Sequence, residues 1–376
     1  MYYEPSEDSE LLAQVAGSYA RMHAPRCVLE VGVGSGYVLE RIEAPERSGT
    51  DLNPMAVDAA SRRISDADIR LGDLTEPFDG PFDLIVCNPP YLPADWSDRF
   101  LSDEVRAALI GGTSGIELSL RLIREAHGKI ARDGALLIIV SSHADPGRFE
   151  HEAISCGYAI VKVCERRLPG LEDLTCYALT HNEVSRFALK NGFALEPLTR
   201  GGRSVLYTLS RGTERIVAKL LLGEKAAYAE HEFGVLRAVK GVIRVPEPLE
   251  IQGSFFTMEH IEGETLADIA SEQRSRFDGE LIAAALALDR LRIKKYEFTR
   301  PHGNILVSDG RLVFTDFERA SYDKQGNLTQ LLEHFRRRGS LSMEVMRSLV
   351  RAYLNDCASA QVDETVWKRR ILESLR

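Results

Sequence analysis

Short apolar strands alternate with helical segments through the first half of this chain, and that rhythm restricts it to few folds. Residues 27–31 read as a strand, and 37–42 open a helix. Residues 47–51 are a second strand, followed by a helix over 54–64. Further strands fall at 69–71 and 84–87, a helix at 116–131, and a strongly apolar strand at 135–141. Two more strands, 157–165 and 174–179, have no long crossover between them and suggest an antiparallel edge hairpin. Repeated β-α units imply a mostly parallel sheet covered by helices on both faces, an α/β Rossmann-like class.

Near residue 181 the rhythm changes. Residues 198–222 are strand-rich around Gly201-Gly202 and Gly212, 226–239 form a helix, 255–260 a strand, and the remainder is mostly helix. Strands followed by helices describe an α+β domain. The expected division is 1–181 and 182–376, the latter with lobes at about 182–258 and 262–376. The 376 residues are enough for two domains. No apolar run reaches the length of a membrane span, and residues 1–5 are acidic with no apolar signal segment. A cytoplasmic protein without a membrane partner is expected. Cys27, Cys87, Cys156, Cys164, Cys176 and Cys357 form no C-x-x-C pair and read as buried thiols rather than zinc ligands or disulfides. The charge is uneven. Residues 1–181 hold 17 Lys+Arg against 29 Asp+Glu, a net −12, whereas 182–376 hold 30 against 27, a net +3. An acidic first half is poorly suited to gripping a phosphate backbone.

Asn88-Pro89-Pro90-Tyr91 ends the apolar run 82–87. The prolines fix φ and donate no N–H, so the Asn88 carboxamide oxygen and the Pro89 carbonyl can form a rigid pair of acceptors. Tyr91 adds a flat apolar wall. Such a set suits a planar –NH2 group. Upstream, Glu30-x-Gly32-x-Gly34-x-Gly36 follows the first strand. Alternate glycines permit a tight turn and close approach to a ligand. The acidic residue ahead of them would repel a pyrophosphate but can receive a cationic amino-acid moiety. Asp51 ends the second strand, where a carboxylate takes a ribose diol. Asp73, after the third, can meet an adenine amino group. Together with Asn88 these residues describe a site for S-adenosylmethionine.

Residues 1–180 resemble the HemK-like class I methyltransferases. The resemblance rests on Tyr3-Glu4-Pro5-Ser6-Glu7-Asp8-Ser9, the glycine loop, Asn88-Pro89-Pro90-Tyr91 and Gly111-Gly112-x-x-Gly115. It implies methylation of the glutamine amide in the Gly-Gly-Gln motif of a class I translation release factor. The Y-E-P-x-E-D opening is similar to the archaeal and eukaryotic branch, whose members often work with a small zinc-binding activator subunit. Asn88, Pro89 and Tyr91 are the catalytic expectation. Glu30, Gly32, Gly34, Gly36, Asp51, Asp73 and Asn88 are the expected cofactor contacts. The same tetrapeptide serves adenine and cytosine amino groups, so nucleic-acid methylation is the alternative.

The second half carries another ordered series. Ile216-Val217-Ala218-Lys219 presents a strand lysine, and Glu232 lies on the next helix. Residues 256–263, Asn304 and Asp316 follow. The series is similar to protein-kinase-like folds, nearest to the atypical RIO and KEOPS-complex types. The resemblance implies ATP and Mg2+, with 256–263 as a hinge, Lys219, Glu232, Glu259 and Ile261 about the nucleotide, and Asn304 and Asp316 as Mg2+ ligands. The H-x-D catalytic loop is absent. Thr299 stands where the aspartate belongs, Glu297 is a substitute base, and Asp289 is a more distant one. His302 reads as a loop histidine. Two roles stay open: an active kinase, or a pseudokinase docking module for tRNA or the translation machinery.

Overall fold

The strand β1 (Cys27–Val31) turns Leu29 and Val31 into one apolar cluster and Val28 into another. The same alternation runs along β4 (Phe82–Cys87) from Leu84 onward, past a register shift after Phe82, and along β7 (Ile130–Ser141), as the two-residue period of a strand requires. Each face of the sheet is therefore apolar and needs a helical cover. The computed structural model describes residues 5–94, 109–168, 172–359 and 361–375. Tyr3 and Glu4 of the Y-E-P-x-E-D opening lie outside them. The chain forms two units, 1–200 and 201–376.

In the first unit, β2 (Glu46–Asp51), β3 (Asp68–Leu71), β8 (Tyr158–Leu168) and β9 (Glu172–His181) complete a sheet in the order β3-β2-β1-β4-β7-β9-β8. The β1–β2, β2–β3, β1–β4 and β4–β7 pairs are parallel. β9 runs antiparallel to both β7 and β8, which is the expected edge hairpin. One face packs on α1 (Glu7–His23) and α2 (Pro54–Arg63), the other on α3 (Glu117–His127) and α4 (Pro146–Ser155). α2 starts where the Asn53 carboxamide accepts the Met55 N–H at 3.0 Å, with Pro54 in the first turn. Past the sheet lie α5 (Glu183–Asn191) and β10 (Ala194–Arg200).

Two helix expectations fail here. Residues 37–42 hold only a three-residue 3₁₀ turn, Leu39–Arg41, because the Leu39 N–H is drawn to the Glu30 carboxylate and β2 begins at Glu46. The helix expected over 116–131 stops at His127, where Gly128 follows and Ile130 is recruited into β7 opposite Phe82. The thiols also differ from expectation. Cys87 and Cys176 are buried, while Cys27, Cys156, Cys164 and Cys357 are half-buried.

The second unit opens with antiparallel strands β11 (Ser204–Arg211) and β12 (Glu214–Leu221). They continue through β14 (Phe255–Glu259) to β13 (Pro248–Gln252). The helix α6 (Tyr228–Val239) packs on these strands. The remainder is mostly helix, as expected, but also holds a small sheet. A hairpin of β16 (Ile305–Ser308) and β17 (Arg311–Phe314) turns at Asp309-Gly310, both with positive φ, and short β15 (Glu264–Thr265) joins it. Around it pack α7 (Asp278–Arg290), α8 (Asn327–Arg337), α9 (Met343–Ala358) and α10 (Glu364–Ser374).

Candidate functional site

In the first unit, β1 and β4 lie side by side while their chains lead to opposite halves of the sheet, β1 toward β2 and β4 toward β7. This is the switch point of an open parallel sheet, where loops at the strand ends diverge and leave a crevice. Val31 is level with Thr50 and with Cys87, so the loops after β1, β2 and β4 leave together. They line a cavity of about 670 Å³. Its walls include Glu30, Gly32, Gly34, Asp51, Asp73 and all of Asn88-Pro89-Pro90-Tyr91.

The glycine loop explains its own composition. Gly32, Gly34 and Gly36 have φ of 73°, 51° and 77°, which side chains rarely adopt. The Gly34 N–H donates to Asp51 Oδ2 at 2.9 Å, and Asp51 Oδ1 accepts the Asn53 N–H at 2.9 Å. Asp51 is thereby held rigid beside the cavity. Gly36 lies behind the cavity, where a side chain would press on Ile64 and Ala60 of the α2 segment. Glu30 is 3% exposed and accepts the Leu39 N–H at 2.8 Å. Burial pushes its pKa well above the usual carboxylate range. A cation placed in the cavity would offset that penalty.

Two carboxyl or carboxamide oxygens in these walls are buried without a hydrogen-bond partner among the described residues: Asn88 Oδ1 and Asp73 Oδ1. The other Asp73 oxygen accepts from Arg121 at 2.8 Å. Both oxygens thus keep acceptor capacity facing the cavity. The Tyr91 hydroxyl donates to Asp8 Oδ2 at 3.2 Å, which ties the tetrapeptide to the first turn of α1. Behind it, β5 (Leu92–Pro93) pairs with β6 (Ile110–Gly112). A side chain on Gly111 would overlap the Pro90 carbonyl oxygen, and one on Gly115 the Tyr91 carbonyl oxygen. The Gly111-Gly112-x-x-Gly115 strap is thus a backbone-to-backbone support for Asn88–Tyr91.

The second unit brings another set together. Lys219 is 5% exposed, and its ammonium donates to Glu232 at 2.8 Å and to Asp316 Oδ1 at 3.0 Å. Burial opposes its charge, but Glu232 and Asp316 outweigh burial and raise its pKa. For Asp316 burial likewise loses to Lys219, and the carboxylate titrates below its ordinary value. Glu232 also accepts the Phe317 N–H at 3.0 Å. The Asn304 carbonyl accepts from the Thr315 N–H at 3.1 Å, which fixes the two segments carrying Asn304 and Asp316 side by side. Glu259 ends β14, and Ile261 follows it half-buried. His302 is half-buried, its ring edge-on to His334 at 5.0 Å. Asp289 drops out as a base. It is fully buried, and its oxygens accept from Gly326, Asn327, Leu328 and Tyr353 at 2.8–3.1 Å, capping α8. Glu297, by contrast, faces the Lys295 ammonium at 3.4 Å.

Sequence reasoning gave no role to Asp8, Arg121 or Lys295. The acidic first turn of α1 (Glu7, Asp8 and Glu10) was a signal for a helix start there. Lys295 offered no signal beyond its place two residues before Glu297.

No family model matches the chain. A release factor glutamine methyltransferase of Deinococcus radiodurans is 36% identical over 148 residues, 36% of this chain and 52% of that one. A Methanocaldococcus jannaschii protein named among the protein N5-glutamine methyltransferases is 33% identical over 147 residues, 37% of this chain and 72% of that one. The chain thus spans about half the length of the first of these relatives. Among solved structures, the E. cuniculi Mtq2–Trm112 complex, described as responsible for methylating the eRF1 translation termination factor, is 22% identical. It covers 48% of this chain and 99% of that chain, with a TM-score of 0.38.

Proposed function

The chain belongs to the protein N5-glutamine methyltransferase family, and from that membership we propose that residues 1–181 transfer a methyl group from S-adenosylmethionine to a glutamine amide nitrogen. The acceptor proposed is the Gly-Gly-Gln glutamine of a class I release factor. The observation that carries this reading is Asn88 Oδ1, buried and unpaired in a cavity that also holds Glu30, Asp51 and Asp73. When bound, the donor supplies an electrophilic methyl group. Glu30 holds its amino-acid end, Asp51 its ribose and Asp73 Oδ1 its adenine amino group. Asn88 Oδ1 and the Pro89 carbonyl accept the two amide hydrogens. An amide lone pair is delocalised, and these two bonds draw the nitrogen toward tetrahedral geometry and aim the lone pair at the methyl carbon. The N–C bond would form as the donor's S–CH3 bond breaks and a neutral thioether leaves, and the methylated nitrogen would shed one proton to water, so positioning and electrostatics suffice without a titratable base.

The test is labelled methyl transfer to a release factor, with and without the zinc-binding activator implied by the resemblance. Loss of transfer on replacing the Gly-Gly-Gln glutamine supports the reading. Equal transfer to DNA or tRNA sinks it in favour of nucleic-acid methylation, against which the −12 charge of residues 1–181 argues.

A second reading concerns residues 182–376. Lys219 bridging Glu232 and Asp316 supports an ATP site of the protein-kinase-like kind. Asp316 and Asn304 offer hard oxygen donors suited to Mg2+, and Glu297 is the proposed phosphotransfer base. Mg-ATP turnover abolished by Asp316→Ala supports a kinase. Nucleotide binding without turnover supports a pseudokinase module.

A further inference from the structure

Lys295 is 2% exposed, and a buried ammonium is retained only where partners replace its water. Four groups surround it. Its Nζ donates to the Thr315 carbonyl at 2.7 Å and to the Asp316 carbonyl. It faces Glu297 Oε2 at 3.4 Å and lies 4.5 Å from the centre of the Phe317 ring. Its backbone is fixed as well. The Lys295 N–H donates to Asn327 Oδ1 at 2.7 Å, and Asn327 Nδ2 is held by Asp289 at 2.8 Å. The lysine is thus anchored at both ends before any ligand arrives.

Asp316 needs such an anchor. Its φ is 58°, a left-handed conformation that costs energy for a residue with a side chain. Lys219 holds its carboxylate from one side, and Lys295 holds its carbonyl from the other. Thr315, the second carbonyl on Lys295, is the residue whose N–H and hydroxyl both reach the Asn304 carbonyl at 3.1 Å. One ammonium therefore touches the segment carrying Asp316, itself tied to Asn304 through Thr315, and the carboxylate of the proposed base.

We propose that Lys295 is a positioning residue of the nucleotide site, holding Glu297 and the Thr315–Asp316 backbone in a single frame. The inference rests on the second reading above. Without Lys295 the left-handed Asp316 relaxes, its carboxylate swings off the Asn304 side, and Mg2+ loses a fixed ligand. Nucleotide contacts away from the metal stay as they are.

The experiment titrates Mg2+ against binding of a fluorescent ATP analogue to the full chain, with the thermal unfolding of the 201–376 unit as the control that this unit is folded. Lys295→Met should raise the Mg2+ concentration for half-maximal binding by about tenfold or more, as loss of a residue supporting a metal ligand does. Affinity for the analogue without Mg2+ should stay unchanged, a split that mere loss of packing would not produce. If the single variant does not fold, Lys295→Met with Glu297→Gln removes both charges and leaves no unpaired carboxylate. The same Mg2+ shift is expected of it. A wild-type chain that binds no analogue at any Mg2+ concentration overturns the nucleotide site and this inference with it. A wild-type chain that binds while the folded variant keeps the wild-type Mg2+ midpoint overturns the inference alone.

Discussion

Asn88 Oδ1 stays unpaired inside the protein, and an unmet buried acceptor costs about 1–3 kcal/mol. A fold tolerates that cost where a ligand later meets it. Asn88→Ala should therefore weaken donor binding far less than it slows methyl transfer, the latter by about 10²–10³-fold, or roughly 2–4 kcal/mol of barrier. Equilibrium binding and single-turnover rates separate the two effects. A second residue-scale expectation concerns pH. Burial lowers the His127 pKa from 6.5 to about 4 while its Nε2 meets Ser185 Oγ at 3.2 Å. The unfolded chain then takes up the proton first as pH falls. The contribution of neutral His127 is complete above about pH 6.5 and is lost toward pH 4, at most about 3 kcal/mol. Urea midpoints at pH 7 and pH 5 should differ less in His127→Gln than in the wild type. The shared location of Glu30, Asp51 and Asn88 beside one cavity could be read from sequence, since each sits at or just past a strand end fixed by local pattern. Asp8 and Lys295 were not, since their partners Tyr91 and Thr315–Asp316 are brought to them only by folding.

At the scale of elements, the Gly111–Gly115 strap decides how stiff the tetrapeptide is. Gly115 has φ 81°, and any side chain there would meet the Tyr91 carbonyl oxygen. Gly115→Ala should move Asn88–Tyr91, lower kcat by at least about tenfold and change donor affinity little, because a small misplacement of positioning groups is expensive in rate. Equal loss of donor binding and rate would argue that the strap supports the whole cavity. The strands were legible from apolar runs. The segment 37–42 was not, because one buried carboxylate, Glu30, captures the N–H at Leu39. The end of α3 was not either, since Ile130 is as apolar as a helix position and only its pairing with Phe82 makes it strand. The β16–β17 turn did carry a signal, Asp309-Gly310, hidden between residues read for metal binding.

For the whole molecule, two units carry separate apolar cores. Calorimetry should show S-adenosylmethionine raising one unfolding transition and Mg-ATP the other, since a ligand stabilises the unit that binds it. A single transition shifted equally by both would contradict the assignment of the two sites to different units. Among the described residues no helix is long and apolar enough to cross a membrane. The sequence rhythm breaks near residue 181, whereas the compact units divide between 200 and 201. The buried cluster of the second unit was less legible, since its lysine, glutamate and aspartate are separated by many residues and meet only at Lys219. The central claim is methyl transfer to a glutamine amide. Its most direct test is mass spectrometry of a class I release factor after incubation with donor and this chain. The account predicts one added methyl group on the Gly-Gly-Gln glutamine, absent with Asn88→Ala. Methylation only of nucleic acid, or undiminished methylation by Asn88→Ala, would contradict it.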